Sequence, residues 1–220
     1  MRVVIAGGHG KIALILEKLL ADRGDSVAGL IRNPDQSDDL RRAGAEALVL
    51  DLEHASVDRL AELLQGADAV VFAAGAGPGS GIARKTTVDR DAAILLADAA
   101  EVAGVSRYLM VSAMGADGRS ANDADDPVFA AYLQAKAAAD DAVRAKDALN
   151  STIVRPGLLT DEAATGRVRV AESTGRGSIP RADVAAMLVA LLDAPATAGV
   201  TFELISGDTP IADAVSALKR

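Results

Sequence analysis

The fold is encoded most clearly in VVIAGGHGKIA, residues 3–13, where an apolar run meets a cluster of glycines. Four consecutive apolar residues predict a short buried strand over Arg2–Ala6. Beyond the glycines, apolar residues recur at helical spacing, which predicts a helix over Gly10–Arg23 that stops at Gly24. The stretch therefore predicts a strand that passes through a tight turn directly into a helix.

The rest of the chain repeats this order of strand and helix. Further strands are predicted over Ser26–Ile31, Ala47–Leu50, Ala69–Ala74, Val105–Ser112, Ser151–Arg155 and Thr201–Ile205. Helices are predicted over Asp35–Gly44, Val57–Leu64, Val88–Ala103, Val128–Lys146, Arg181–Leu192 and Ile211–Leu218, and an acidic loop over Gly115–Pro127. Such alternation produces right-handed β-α-β units. The predicted fold is α/β, a Rossmann-type doubly wound, mostly parallel sheet of about seven strands with helices on both faces.

The length of 220 residues predicts one domain, residues 1–220. One segment, Leu158–Pro180, departs from the regular alternation because it is rich in glycine and arginine. We expect it to be a small substrate-side segment over the carboxyl edge of the sheet, where ligands of such folds bind. Within it, Val168 and Val170 alternate with Arg167 and Arg169, which is the pattern of a half-buried strand.

Composition excludes several classes of function. A net charge of −8 argues against nucleic-acid binding, and the absence of cysteine removes disulfides and thiol chemistry. Only two histidines, His9 and His54, are present, so neither a Ser-His-Asp triad nor a zinc site is supported and no metal is expected. No apolar run is long enough for a membrane span, and the start of the chain lacks the layout of a signal peptide. A cytoplasmic protein without membrane contact is expected.

The glycine turn has the features of a dinucleotide site. Gly7 permits a positive φ, Gly10 lets backbone amides approach a phosphate, and the small Ala13 lets helix and strand pack closely. A pyrophosphate would meet the helix N-terminus, where free N–H groups and the helix dipole favour negative charge. His9 and Lys11 could also reach phosphate, although a solvated lysine is the simpler interpretation.

The end of the second strand bears on the choice of cofactor. A free ribose 2′-hydroxyl is usually held by a carboxylate, whereas a 2′-phosphate needs a cation. Here the strand ends in Arg32, and no carboxylate follows until Asp35. This favours NADP, with NAD as the alternative, because arginine suits a phosphate. Asp51, followed by Leu52, is placed to hydrogen-bond the adenine amino group.

A resemblance to a known family rests on motifs along nearly the whole chain: Gly7-x-x-Gly10-x-x-Ala13, Arg32, Asp51-Leu52, Ala73-Ala74-Gly75, Val88-Asp89, Ser112, Tyr132-x-x-x-Lys136 and Arg155-Pro156-Gly157. Together they resemble an atypical short-chain dehydrogenase/reductase, the compact NAD(P)-binding group akin to extended epimerases, biliverdin reductase B and NmrA-type redox sensors. The cofactor-binding set in this interpretation is Gly7, His9, Gly10, Lys11, Ile12, Arg32, Asp51, Leu52, Ala73, Ala74, Gly75, Lys136, Pro156, Gly157 and Thr160.

Three residues are the catalytic candidates. Tyr132 and Lys136 are four residues apart on a helix and so share one face. An ammonium beside a phenol is expected to lower the tyrosine pKa, and such a tyrosine can donate a proton to a carbonyl oxygen as hydride arrives. The resemblance implies that Lys136 also holds the nicotinamide ribose and that Ser112 orients the substrate carbonyl. It further implies that the turn of Pro156 and Gly157, together with Thr160, holds the nicotinamide carboxamide. For Thr160 taken alone, a proline that simply ends a strand is an equal interpretation.

These features predict an NADP-dependent oxidoreductase that acts on a small carbonyl compound. Extended members of the family carry a large sugar-nucleotide domain, and this chain has room only for Leu158–Pro180, which argues against a nucleotide-sugar epimerase. One alternative is a non-catalytic NADP(H) sensor that acts through a protein partner. Another is a flavin- or quinone-type reductase that needs no tyrosine acid. The sequence leaves the substrate, the direction of transfer and the oligomeric state open.

Overall fold

A computed structural model describes residues 1–77, 79–117 and 126–218 of the chain. Most of the predicted acidic loop, residues 118–125, lies outside the described residues. The strands, in chain order, are β1 (Arg2–Ala6), β2 (Ser26–Ile31), β3 (Glu46–Val49), β4 (Ala69–Phe72), β5 (Arg107–Val111), β6 (Asn150–Pro156), β7 (Leu158–Thr160), β8 (Arg167–Ala171), β9 (Ser178–Pro180), β10 (Val200–Ser206) and β11 (Thr209–Pro210).

The helices lie between these strands. They are α1 (Lys11–Arg23), α2 (Ser37–Arg42), α3 (Val57–Leu64), α4 (Ile82–Arg84), α5 (Ala92–Ala103), α6 (Pro127–Arg144), α7 (Arg181–Leu192) and α8 (Ile211–Ala217). A π-helical segment, Lys85–Asp91, joins α4 to α5, and 3₁₀ turns occupy Pro34–Gln36 and Pro195–Thr197. None of the helices in the described ranges has the length and apolar character to cross a membrane.

The central sheet confirms the predicted Rossmann-type architecture. Its strand order is β3-β2-β1-β4-β5-β6-β10-β8-β11, and every pair from β3 to β10 is parallel. The chain runs from β1 outward to β3 and then returns to β4 on the other side of β1. The register aligns Ala6 of β1 with Leu30 of β2 and with Phe72 of β4. The carboxyl ends of these strands therefore border a crevice at the point where the strand order reverses, which is where such folds bind ligands.

The core lies on both faces of the sheet. Successive residues of a strand point to opposite faces, so Val3 and Ile5 pack in one apolar layer and Val4 and Ala6 in the other. The first layer is covered mainly by α1 and α7, and the second by α3 and α5. Burial on both faces explains why the parallel strands have continuous apolar sequences.

Two expectations are corrected. The sheet has nine strands rather than about seven, because β8 and β11 extend it beyond β10 in antiparallel fashion. The segment Leu158–Pro180 is also not purely peripheral, since Val168 of β8 is fully buried in the core. The alternation of valine with arginine was the correct guide to this strand.

The remaining part of that segment forms a small parallel pair, β7 and β9. Gly157, just before β7, lies so close to the backbone of Gly177 that a Cβ on Gly157 would be 2.3 Å from the Gly177 carbonyl oxygen. Gly177 is itself packed against Ile205 of β10. Glycine at 157 is therefore required by close packing between backbones, whatever else it contacts.

Candidate active site

The turn between β1 and α1 has the backbone geometry that the glycines predict. Gly7 has a φ of +83°, and a Cβ there would lie 2.6 Å from the Cα of Ala74. Gly10 has extended backbone and is the N-cap of α1 with no side-chain cap, while its own N–H donates to the Gly7 carbonyl at 2.8 Å. The first N–H groups of α1 have no acceptor within the helix, so they can bind a phosphate.

The side chains of this turn bind protein carboxylates. His9 Nε2 lies 2.7 Å from Asp39 Oδ2 of α2, and Lys11 Nζ lies 2.5 Å from Asp161 Oδ2, just after β7. Arg181 of α7 contacts the other oxygen of Asp161 at 2.6 Å. Contact of His9 and Lys11 with phosphate therefore stays a prediction that requires these side chains to change partners.

A buried carboxyl group lies behind the turn. Glu17 of α1 has no exposed surface, and neither carboxyl oxygen has a hydrogen-bond partner among the described residues. The carboxyl group packs against backbone, because a Cβ on Gly29 would lie 2.4 Å from Glu17 Oε1 and one on Gly8 would lie 3.0 Å from it. Burial raises the pKa of Glu17 to about 8. The group is consequently protonated at neutral pH.

This burial predicts a pH-dependent loss of stability that Glu17→Gln removes. Between the ordinary glutamate pKa of 4.5 and the folded value of about 8, the native state binds the proton and the unfolded chain does not. The free energy of unfolding should therefore fall with rising pH, by about 1.4 kcal/mol per unit from this group. The free energy of unfolding can be measured with denaturant at pH 5 and pH 8. The difference between Glu17→Gln and the parent should shift by about 3 kcal/mol in favour of the variant from pH 5 to pH 8.

The exposed Glu62→Gln on α3 is the matched control, since the Glu62 side chain forms a surface ion pair with Arg59. Its free energy of unfolding should change between pH 5 and pH 8 by the same amount as that of the parent. If the difference in free energy of unfolding between Glu17→Gln and the parent is the same at both pH values, the buried, protonated state of Glu17 is contradicted.

The end of the crevice beside β2 and β3 contains a cavity of about 180 Å³ whose lining includes Arg32, Asp51, Leu52, Gly7 and Ala74. This cavity brings together the residues that were predicted to hold the adenosine half of a dinucleotide. Asp51 accepts the Glu53 N–H at 3.0 Å through one oxygen and lies 3.0 Å from His54 Nδ1 through the other.

The sequence analysis did not identify two charged residues of this cavity, Glu53 and Arg84, which lie close to the predicted Arg32. Arg32 is largely exposed, and its Nη1 lies 3.2 Å from Glu53 Oε2. The same oxygen accepts from Arg84 Nη2 at 2.8 Å, and the other accepts from Thr87 at 2.6 Å. Hydrogen bonds from Arg84 and Thr87 hold the pKa of Glu53 below its usual range. The guanidinium groups of Arg32 and Arg84 thus flank the carboxylate of Glu53 in this cavity.

A larger cavity of about 500 Å³ adjoins the first, and Ala74 lines both. Ser112, Tyr132 and Lys136 all line the larger cavity. Ser112 directly follows β5, whereas Tyr132 and Lys136 come from α6. The three residues predicted to be catalytic are therefore brought to one cavity, whose lining also includes Ile12, Ala73, Ala74 and Gly75.

Lys136 is buried and joins several elements. Its Nζ lies 3.4 Å from Asp89 Oδ1, 3.2 Å from the Val111 carbonyl and 3.5 Å from the Ala74 carbonyl. Burial lowers the pKa of Lys136, and the nearby carboxylates of Asp89 and Asp140 oppose this effect. Asp89 Oδ2 also accepts the Ala76 N–H at 3.2 Å. The Asp89–Lys136 pair therefore connects the ends of β4 and β5 to α6 at the floor of the cavity.

The expected effect of Lys136 on Tyr132 is wrong. Burial raises the pKa of Tyr132 well above its usual value, and the carboxylates of Asp89 and Asp140 raise it further. The ammonium of Lys136 is paired with Asp89, so it does not stabilise a phenolate. In this environment Tyr132 therefore keeps its phenolic proton.

Ser112 is buried at the end of β5, where its N–H donates to the Val154 carbonyl at 2.7 Å. Its hydroxyl interacts with the buried Asp140 carboxyl without a hydrogen bond of regular geometry. Asp140 is bound at 2.8 Å by Arg155 Nε, and burial raises its pKa. The Arg155 of the predicted Arg-Pro-Gly motif thus positions the carboxyl group beside Ser112.

The Pro-Gly turn lies further from the cavity than expected. Pro156 ends β6, and its carbonyl accepts the Met114 N–H at 3.0 Å. Leu159, and not Thr160, belongs to the cavity lining, while Thr160 Oγ1 lies 3.4 Å from Glu162. Contact of Pro156, Gly157 and Thr160 with a nicotinamide stays a prediction.

The π-helical segment supplies cavity residues that periodicity did not reveal. It carries Lys85 and Asp89, both buried and both in the cavity lining. The predicted helix begins only at Val88 and so does not include Lys85. The available signal was the pair of adjacent cations, Arg84 and Lys85, three residues after the glycines of residues 75–81. π-Helical turns are rare and frequently occur at functional sites.

Comparison with known proteins gives consistent results. A family model described as NAD(P)H-binding matches residues 7–195. YhfK from Bacillus subtilis, named an uncharacterized sugar epimerase, is 40% identical over 220 residues, which cover 99% of this chain and 100% of YhfK. Both matches include the glycine turn and both cavities.

Two solved structures have folds similar to that of this chain. A candidate NAD-dependent epimerase/dehydratase from Bacillus halodurans is similar with a TM-score of 0.90 and 37% identity, covering 99% of each chain. ChuY, called an anaerobillin reductase from Escherichia coli O157:H7, is similar with a TM-score of 0.77 and 26% identity, covering 94% of this chain and 98% of ChuY.

Proposed function

The chain belongs to the NAD(P)H-binding family, and we propose that it is an NADP-dependent oxidoreductase that reduces or forms a small carbonyl compound. One observation carries this proposal. The cavity lined by Arg32 and Asp51 meets the cavity lined by Tyr132 and Lys136 at Ala74, beside the phosphate turn. This arrangement suits a ligand with two ends, of which one is held for recognition and the other is placed for chemistry.

The residues of the turn fit a pyrophosphate. A Cβ on Gly10, the N-cap of α1, would lie 3.1 Å from the Gly7 carbonyl oxygen. In this proposal Arg32 and Asp51 would hold the adenosine half of the cofactor, and Lys136 would hold the nicotinamide half. When bound, the cofactor supplies or accepts a hydride at nicotinamide C4.

The chain's own residues supply the proton and the positioning. Tyr132 donates its phenolic proton to the carbonyl oxygen of the substrate as the hydride is transferred. Ser112 donates a hydrogen bond to the same oxygen and orients it. Lys136 holds the nicotinamide ribose, and its pairing with Asp89 keeps the ammonium at the floor of the cavity. The name of ChuY, that of a reductase, supports this reaction class.

The function is tested by measuring NADPH binding and NADPH oxidation with a panel of small aldehydes, ketones and quinones. We expect NADPH to bind and at least one carbonyl compound to be reduced. Tight NADPH binding without turnover of any compound would contradict the enzyme and favour a sensor that acts through a protein partner. Absence of NADPH and NADH binding would contradict the proposal as a whole.

Preference for NADP is tested by Arg32→Ala. A charged hydrogen bond contributes about 1.5–3 kcal/mol, so loss of the guanidinium should weaken NADPH binding by about 10- to 150-fold. NADH lacks the 2′-phosphate, and its affinity should be unchanged. Calorimetric titration of both cofactors gives the measurement.

Arg59→Ala on α3 provides the control, since Arg59 is exposed and pairs only with Glu62 in the described structure. It should bind both cofactors as the parent does. Equal losses of NADPH and NADH affinity in Arg32→Ala, or a parent that prefers NADH, would contradict the assignment of NADP.

A further inference from the structure

A second buried lysine lies in the larger cavity and has no role in the mechanism above. Lys85 begins the π-helical segment, is only 9% exposed, and belongs to the cavity lining together with Tyr132. Its Nζ donates to the Gly77 carbonyl at 3.0 Å and lies 5.2 Å from the centre of the Tyr132 ring. The ammonium therefore lies beside the phenol that is proposed to donate the proton.

Lys85 and Lys136 differ in whether a carboxylate neutralises their charge. Lys136 has Asp89 at 3.4 Å, whereas Lys85 has no carboxylate partner among the described residues. Asp126, the remaining acidic residue of the lining, is exposed and caps α6 by accepting the Val128 N–H at 2.8 Å. An ammonium has three donors, and a buried charge is costly unless it is paired. An anion supplied by a ligand would satisfy the donors that Gly77 does not use.

The walls around this ammonium are largely apolar. Phe129 stacks on Tyr132 with ring centroids 6.0 Å apart, and half of its surface is exposed. Val128 and Leu159 also line the cavity. Such a surface accommodates a flat or branched carbon skeleton. Since Lys136 is already paired with Asp89, the ammonium of Lys85 is the charge that a ligand would match, so the complementary ligand is an apolar compound with one negative charge.

We propose that Lys85 is a specificity-determining residue that binds a carboxylate of the substrate, and that the substrate is a carbonyl compound with an apolar body and one carboxylate. This inference rests on the proposed function for the carbonyl group, while the carboxylate site is defined by Lys85 and its surroundings alone. The carboxylate binds the Nζ of Lys85, and the apolar body lies against Phe129 and Leu159.

The test uses two probes of the same shape, 3-phenylpropionate and its neutral amide, 3-phenylpropionamide. Calorimetry measures the affinity of each for the parent, with NADPH at saturation and without NADPH. The parent should bind the carboxylate about 10- to 150-fold more tightly than the amide. Lys85→Met should bring this ratio close to one by weakening carboxylate binding only, and Lys85→Arg should restore part of the preference.

Lys18→Met is the matched control, because Lys18 is an exposed residue of α1 that pairs with Asp22. It removes the same charge and should leave the ratio unchanged. A merely structural role of Lys85 would weaken both probes equally in Lys85→Met and so would overturn the proposal. Equal binding of the two probes to the parent, or no binding of either, would also overturn it. Failure of the parent to bind NADPH would instead count against the proposed oxidoreductase, since the titrations without NADPH test Lys85 separately.

Discussion

Gly10→Val is expected to abolish dinucleotide binding in a chain that still folds. Gly10 has a φ of −67° and a ψ of 148°, which valine adopts readily, and its Cβ would lie 3.1 Å from the Gly7 carbonyl oxygen. The branched side chain then crowds the turn at the N-cap of α1, where the pyrophosphate is proposed to bind. Loss of two charge-assisted hydrogen bonds, at about 1.5–3 kcal/mol each, corresponds to a more than 100-fold fall in NADPH affinity.

Calorimetry and circular dichroism together give the measurement. Gly10→Ala serves as a graded variant, because one methyl group near the Gly7 carbonyl should cause an intermediate loss of affinity. If Gly10→Val is folded and binds NADPH as the parent does, the turn between β1 and α1 is not the phosphate site.

Tyr132→Phe is expected to lower carbonyl turnover by about 10²- to 10⁴-fold, the usual contribution of a positioned acid–base group. The substitution removes one oxygen and little volume, so the stacking with Phe129 and the affinity for NADPH should be unchanged. The measurement is NADPH oxidation by the parent and the variant with any carbonyl compound that the parent reduces. Because the proposed proton donor is the neutral phenol, turnover in the parent should persist through neutral pH.

Tyr108→Phe is the control, because Tyr108 is the other tyrosine of the chain. It is buried in β5, and its hydroxyl donates to the Ala93 carbonyl at 3.0 Å. Its loss should cost about 1 kcal/mol of stability and leave turnover unchanged. Unchanged turnover in Tyr132→Phe would favour a flavin- or quinone-type hydride transfer in which Tyr132 only lines the cavity.

The parallel sheet could be predicted from sequence because its strands are buried on both faces. Each predicted strand corresponds to a parallel strand of the sheet, from β1 to β6 and β10. Strand β8 was harder to predict, since only Val168 and Val170 mark its buried side and glycines surround it. The π-helical segment was not predicted, because a widened turn depends on tertiary packing and has no periodic signature.

The grouping of the candidate site residues could be predicted in part, because it follows from the parallel sheet. Parallel strands carry their carboxyl ends to one edge, so Ser112 and the residues of α6 were expected to meet there. The electrostatics were not predictable, because they depend on distant residues that become neighbours only on folding. Burial, followed by the carboxylate of Asp89, raises the Tyr132 pKa that Lys136 was expected to lower. Glu17 carries a carboxyl group without a partner among the described residues, at a position that an amphipathic pattern treats as exposed.

The contact between Gly7 and Ala74 has a consequence for inhibitor design. Ala74 lines both cavities, and Gly7 approaches it so closely that a Cβ on Gly7 would lie 2.6 Å from the Ala74 Cα. Two small fragments, one for each cavity, can be found separately and then joined, which raises affinity through effective concentration. The linker must be narrow where it passes Ala74, and it gains most if it carries an anionic group toward α1. An aromatic carboxylic acid is the natural first fragment for the larger cavity.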